Sequence, residues 1–254
     1  MRLTLLCLAL LFGVACKKYD STLDKVLDTG ELVIGTEPEF PPFESKNEND
    51  EFVGFDMDMA RELAKDLGVR LRIEGMEFTG LPGALDSDRI DLIISGMTAT
   101  EERAKSRSFS DPYFHTVLCM LVGKDSGIRI AADADGKRIV VKLGTTGAIY
   151  AAKHFKEELV TTLPEEGTCA LEVVHGRADA FLYDQHSIIR HAMTNSKTTR
   201  AVLDPLSSEP YAMAARFGDT KWVARINEFL KAFRADGRYE ALRKKHMPDL
   251  PDEK

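Results

Sequence analysis

Short apolar, β-branched runs alternate along this chain with segments whose apolar residues recur roughly every three or four positions. The runs at 32–34, 69–73, 90–94, 117–122, 139–141 and 180–182 read as buried strands, with a shorter one within 212–217. Between them lie helical patterns. Ala60, Leu63, Ala64 and Leu67 share one face of a helix that Asp56 starts as N-cap and Gly68 closes. Residues 81–85 begin a short helix, Gly147 opens an alanine-rich one to about 156, and another runs from 169 to 174. Residues 222–233 and 239–246 form two amphipathic helices divided by Asp236-Gly237. Strands alternating with helices predict an α/β fold.

The pattern repeats itself. Arg89-Ile-Asp91 before an apolar run matches Arg177-Ala-Asp179 before another, and a run ending Gly35-Thr36 matches one ending Gly144-Thr145. Two βαβ lobes built this way place the loops at their strand carboxyl ends face to face. The aromatic, turn-like stretch 109–114 precedes a crossing to the second lobe, and 206–211 reads as the return. The expected division is 23–116 with 210–254 for the first lobe and 117–209 for the second.

Composition adds limits. The 254 residues carry a net charge of −7 and no basic stripe, so nucleic acid is not an expected partner. Residues 1–15 read as a signal peptide: Arg2 is the charged head, and 3–14 is an apolar run too short to span a bilayer permanently. The run ends Gly13-Val-Ala-Cys16, which resembles a lipoprotein cleavage site with Cys16 as the lipidated residue, although Gly13 departs from the usual pattern. Residues 16–22 then read as a polar tether. Beyond the leader only Cys119 and Cys169 remain, open to a disulfide or to buried thiols. The six histidines are scattered without metal spacing, so no metal or other cofactor is expected.

The chemistry gathers around Ser95-Gly-Met-Thr-Ala-Thr-Glu-Glu-Arg103, which follows a buried strand and opens a helix. Thr98 and Glu101 have capping-box spacing, and Thr100 is a second N-cap candidate. Arg103 in the first turn opposes the helix dipole, which suits a side chain kept to grip an anion. Upstream, two prolines stiffen a loop that presents Phe40 and Phe43.

This stretch resembles the signature of the bacterial extracellular solute-binding proteins, family 3, which serve polar amino acid ABC transporters, and the resemblance extends from about 23 to about 247. It implies a type II periplasmic-binding-protein-like fold: two lobes, each a mainly parallel sheet flanked by helices, joined by a two-strand hinge. It also implies roles. Arg103, Thr98 and the backbone at Gly96 match the site for a ligand's α-carboxylate, Thr146 adds a hydrogen bond from the second lobe, and Asp184 holds the ammonium. Phe40 and Phe78 match the aromatics that sandwich the ligand's aliphatic part. Glu37 and Lys142 match positions near the ligand side chain, where they either pair or read a neutral polar group such as glutamine's. Expected partners are a polar L-amino acid, an ABC permease and, through Cys16, the membrane; the protein is expected to be a periplasmic or extracytoplasmic monomer without enzymatic activity.

Two rivals follow. A cyclohexadienyl or arogenate dehydratase shares this fold and would need a general acid, Glu37 or Glu77. A ligand-binding partner of a separate receptor would need no further residues. A built-in sensory module is not expected, since the sequence ends at Lys254 without a transmembrane helix or signalling domain.

Overall fold

The structure is a computed structural model that describes residues 18–248. The leader at 1–15, Cys16 and the first part of the expected tether lie outside the described residues.

The end of that tether, Ser21 and Thr22, belongs to the fold. Ser21 caps helix α1 (Thr22–Thr29) by accepting the Leu23 N–H, and Ser21 and Thr22 are both buried. The reason is a distant carboxylate. Asp219 accepts hydrogen bonds from the Ser21 hydroxyl and from both the amide and hydroxyl of Thr22, at 2.6–2.7 Å. Its local sequence carries no sign of this.

From α1 the chain runs through β1 (Glu31–Thr36), β2 (Glu39–Phe40), β3 (Glu44–Lys46) and β4 (Phe52–Val53). It continues through α2 (Phe55–Leu67), β5 (Arg70–Gly75), α3 (Leu81–Asp86), β6 (Leu92–Ile93), α4 (Glu101–Ala104) and β7 (Arg107–Phe109). Strand β8 (Phe114–Gly123) crosses to the second sheet, built with β9 (Ile139–Lys142), α5 (Thr146–His154), β10 (Val160–Leu163), α6 (Glu166–Val174), β11 (Ala180–Asp184) and α7 (Gln185–Thr194). Strand β12 (Thr199–Tyr211) returns, and β13 (Ala214–Arg216), α8 (Thr220–Ala235) and α9 (Arg238–His246) complete the described chain.

The two main sheets have orders β5-β1-β6-β13-β7 and β10-β9-β11-β8-β12. In each, the second strand (β1 or β9) pairs in parallel with both neighbours. The other strands of each sheet join antiparallel, so the expected parallel character belongs to one half of each sheet. The internal echo extends to hydrogen bonds. Asp91 accepts from the Val33 amide at 2.9 Å, and Asp179 accepts from the Arg138 amide at 2.8 Å. In both lobes a carboxylate at the head of one strand ties it to its parallel neighbour.

Asp56 does not cap α2. Gly54 holds the N-cap position and Asp56 sits fully buried inside the first turn, because the helix begins two residues earlier than expected. The apolar face of α2, including Met59, Ala60, Leu63 and Ala64, is buried as its periodicity requires. Tyr239 of α9 packs edge-on against Phe55, with ring centroids 5.6 Å apart. The sequence reading also misses α1 and α7 and starts the return strand late: β12 begins at Thr199 and is irregular between Val202 and Ser207.

Where the chain crosses, aromatics lock the segments together. Phe43 is completely buried, with its ring centroid 5.0 Å from Phe114, 5.2 Å from Tyr211 and 5.5 Å from the His186 ring. Each such buried side chain contributes about 1.5–3 kcal/mol. This hub lies just below the pocket described next.

Candidate functional site

The loops after β1, β6, β9 and β11 converge on one small pocket. Its lining includes Glu37, Phe40, Phe78, Gly96, Thr98 and Arg103 from one side and Thr146 and Asp184 from the other. The cavity is about 20 Å³, on the order of one water molecule. The two halves are therefore shut on one another, with Arg103 bonded to the Gly144 carbonyl and Lys142 to Glu37 across the cleft.

Arg103 lies in α4, whose N-cap is Thr100: the Thr100 hydroxyl accepts the Arg103 amide at 3.1 Å. The Thr98 capping box does not form, because Thr98 donates its hydroxyl to Glu209 at 2.7 Å. The Arg103 guanidinium donates to the Thr98 carbonyl at 2.8 Å and, across the cleft, to the Gly144 carbonyl at 3.0 Å. It stacks over Phe78, 5.4 Å from the ring centre. Burial pulls its pKa below the ordinary arginine value, against the opposing pull of Glu209 and Asp184.

Gly96 departs from expectation. Its N–H is turned to Asp56, at 2.9 Å, and so does not face a ligand carboxylate. The backbone there has φ +49°, and a Cβ would lie 2.7 Å from the Phe40 ring, so glycine is required. Phe40 itself is 5% exposed: it forms the pocket wall and also joins the aromatic hub, stacked on Phe43 at 5.5 Å.

Opposite Arg103, Asp184 ends β11 and is 7% exposed. It accepts the Tyr211 hydroxyl at 2.6 Å. Burial pushes its pKa up to about 7, against the opposing pull of the Tyr211 hydrogen bond and the Arg103 charge. Its carboxyl is thus buried with one hydroxyl as its hydrogen-bond partner among the described residues, and its ionised form is costly until a cation arrives. Thr146 does not act as an N-cap. Thr145 occupies that position and returns its own hydroxyl to the Lys142 carbonyl at 2.8 Å. The Thr146 hydroxyl lines the pocket with no hydrogen-bond partner among the described residues.

At the other end of the cavity Lys142 and Glu37 form a hydrogen-bonded ion pair between the lobes, with Lys142 1% and Glu37 8% exposed. Burial raises the Glu37 pKa, and Lys142 offsets part of that rise. Glu77 lines only outer clefts beyond this pair.

Sequence reasoning missed six participants. Ser95, Glu44, Thr145 and Tyr183 line the pocket, while Glu209 and Tyr211 hold Thr98 and Asp184 from the return strand. Ser95 stood inside the quoted signature, and Glu209 was a charge beside apolar Pro210-Tyr211. Glu44 and Tyr183 gave no local signal. Cys119 and Cys169 are free and buried, and burial pushes each thiol up to about 12. Among the described residues no cluster of three or more His, Cys, Asp or Glu is placed to hold a metal ion.

Comparison with known proteins agrees with this architecture. The family model for bacterial extracellular solute-binding proteins, family 3, matches residues 32–249. The L-cystine-binding protein TcyJ of Escherichia coli (strain K12) is 30% identical over 241 residues, 93% of this chain and 91% of that protein. The ABC transporter glutamine-binding protein GlnH of Bacillus subtilis (strain 168) is 30% identical over 238 residues, 91% of this chain and 86% of that one. Among solved structures, the arginine-, lysine-, histidine-binding protein ArtJ from Geobacillus stearothermophilus superposes with a TM-score of 0.81 at 31% identity, covering 87% of this chain and 97% of that one.

Proposed function

The chain belongs to the bacterial extracellular solute-binding proteins, family 3, and on that premise we propose that it captures a polar α-amino acid between its lobes and delivers it to an ABC transporter permease. One observation carries the reading: Arg103 and Asp184 line the same buried pocket, a cation and an anion for the two ends of a zwitterion. Ligand entry opens the lobes. The carboxylate then replaces the carbonyls that Arg103 now holds, the Thr146 hydroxyl adds a donor, and the ammonium supplies the cation that Asp184 lacks. Contacts made from both halves favour the closed form.

The Lys142–Glu37 pair leaves the side-chain end of the pocket without net charge, which favours a neutral polar ligand such as glutamine over a basic one. The first lobe comprises 23–116 with 210–254, and the second 117–209, on this reading, with Ser21 and Thr22 added to the first. The protein works as a monomer at the extracytoplasmic face, held there by lipid on Cys16. The dehydratase alternative has less support: Glu37 is engaged by Lys142, and Glu77 lies outside the pocket.

The test is a thermal-shift panel of all proteinogenic amino acids, L-cystine and L-arogenate. A ligand at a hundred times its dissociation constant adds about 2.7 kcal/mol of stability. Arg103→Ala and Asp184→Ala should each weaken binding by about 2–5 kcal/mol, at least thirtyfold, while the protein still melts cooperatively. Undiminished affinity in either variant refutes the clamp.

A further inference from the structure

At the floor of the pocket, apart from the zwitterion clamp, lies a pair of acids, of which Glu44 lines the pocket and Asp56 lies behind it. Glu44 begins β3 and is 1% exposed; Asp56, in the first turn of α2, is 0% exposed. One oxygen of each is well supplied. Ser95 donates its hydroxyl to Glu44 Oε1 at 2.8 Å and accepts the Glu37 amide at 2.9 Å. Asp56 Oδ2 accepts from the Gly96 amide at 2.9 Å and the Tyr113 hydroxyl at 2.6 Å. The remaining oxygens, Glu44 Oε2 and Asp56 Oδ1, are buried without a donor.

Those two orphans explain each other. The two carboxyls are held side by side: Ser95 binds one, the next residue Gly96 binds the other, and the Asp56 amide donates to the carbonyl of Phe43, the neighbour of Glu44, at 2.9 Å; two ionised carboxylates offer only acceptors. A proton on one makes it the donor the other lacks. Among the described residues no cation is bonded to either acid: the titratable groups facing the pair are Glu37 from the loop after β1, Tyr113 ahead of β8 and Tyr183 on β11, with Arg103 and Asp184 elsewhere on the pocket wall. Neither acid belongs to an ion pair among the described residues.

We infer that Glu44 and Asp56 hold a single proton between them at neutral pH, and that this proton-bearing pair positions the Ser95-Gly96 loop on which the ligand pocket is built. Three of the bonds just named fasten that loop from below, fixing Gly96 in its left-handed backbone under Phe40 and setting the start of the segment that leads to Thr98 and Arg103. Both are positioning residues. Burial pushes both carboxyls upward in pKa, in keeping with a retained proton. A raised acid stabilises the fold at low pH and loses that contribution as the proton leaves at higher pH.

Glu44→Gln replaces the protonated acid with an amide that still donates but does not titrate. It should melt like the wild type at neutral pH and keep its melting temperature at higher pH, where the wild type loses stability as the pair's proton leaves. The affinity of Glu44→Gln for whichever of L-glutamine, L-arginine, L-histidine and L-cystine stabilises the wild type should change less with pH than the wild type's does. That affinity arm rests on the amino acid reading; the melting arm does not. Infrared difference spectra of the wild-type protein should show a protonated, buried carboxyl at neutral pH that Asp56→Asn shifts. Absence of that band, or an alkaline loss of stability identical in the wild type and Glu44→Gln, overturns the inference.

Discussion

The ammonium of Lys142, at the end of β9, is bonded to the Glu37 carboxylate, in the loop after β1, across the cleft between the lobes. The pair closes one end of the pocket and cancels the charge there. A glutamate alone at that place would attract a basic side chain; a glutamate already holding a lysine does not. Removing one partner of a buried pair leaves the other charge uncompensated, at a cost of about 3–5 kcal/mol.

Lys142→Met should therefore lower the melting temperature of the free protein at neutral pH and change its preference. The unpaired Glu37 becomes a site for a ligand cation, so L-arginine should stabilise the variant more than L-glutamine does, reversing the wild-type order in a thermal-shift panel. An unchanged order would show that the pair does not set side-chain preference.

Binding should strengthen with rising pH across the titration of Asp184. Its folded pKa is about 7 against an ordinary 3.8, so the free protein gains from Asp184 below about pH 4 and loses that contribution as pH rises through about 7. The ligand's ammonium needs the ionised form. The ligand-induced rise in melting temperature should thus grow from acid to neutral pH, and Asp184→Asn should remove that dependence. A flat wild-type profile over this range would contradict the assignment.

Closure should depend on Gly144. Its backbone has φ +77°, and a Cβ there would lie 2.8 Å from Thr79 Cγ2 of the opposite lobe. A non-glycine residue in this left-handed region costs roughly 1–2 kcal/mol in any state of the lobes. The clash with Thr79 is paid only on closing, so Gly144→Ala should weaken ligand affinity beyond its effect on melting. Thr79→Ala in the same chain, which removes the opposing methyl, should restore affinity but not melting temperature. Affinities by calorimetry for both variants check this; no recovery in the double variant would place the closing contact elsewhere.

The apolar runs around 32–34, 90–94, 139–141 and 180–182 were enough to locate strands at the centre of both sheets, because a strand buried on both faces needs an unbroken run. The internal echo, the signature through Arg103 and the acid ending β11 were likewise legible, since each depends on neighbours in the chain. The sequence also named both members of the Lys142–Glu37 pair, though not which of their two alternatives held. Distance in sequence concealed the rest. Asp219 draws Ser21 and Thr22 into the fold from 198 and 197 residues away, and Glu209 takes the Thr98 hydroxyl from 111 residues away. Asp56 read as a helix cap because capping is a local rule; only packing against Gly96 and Tyr113 made it a buried anchor. Periodicity and local propensity fix elements and their faces, whereas the partner of each buried polar atom is decided where separate segments meet, and that depends on the tertiary structure alone.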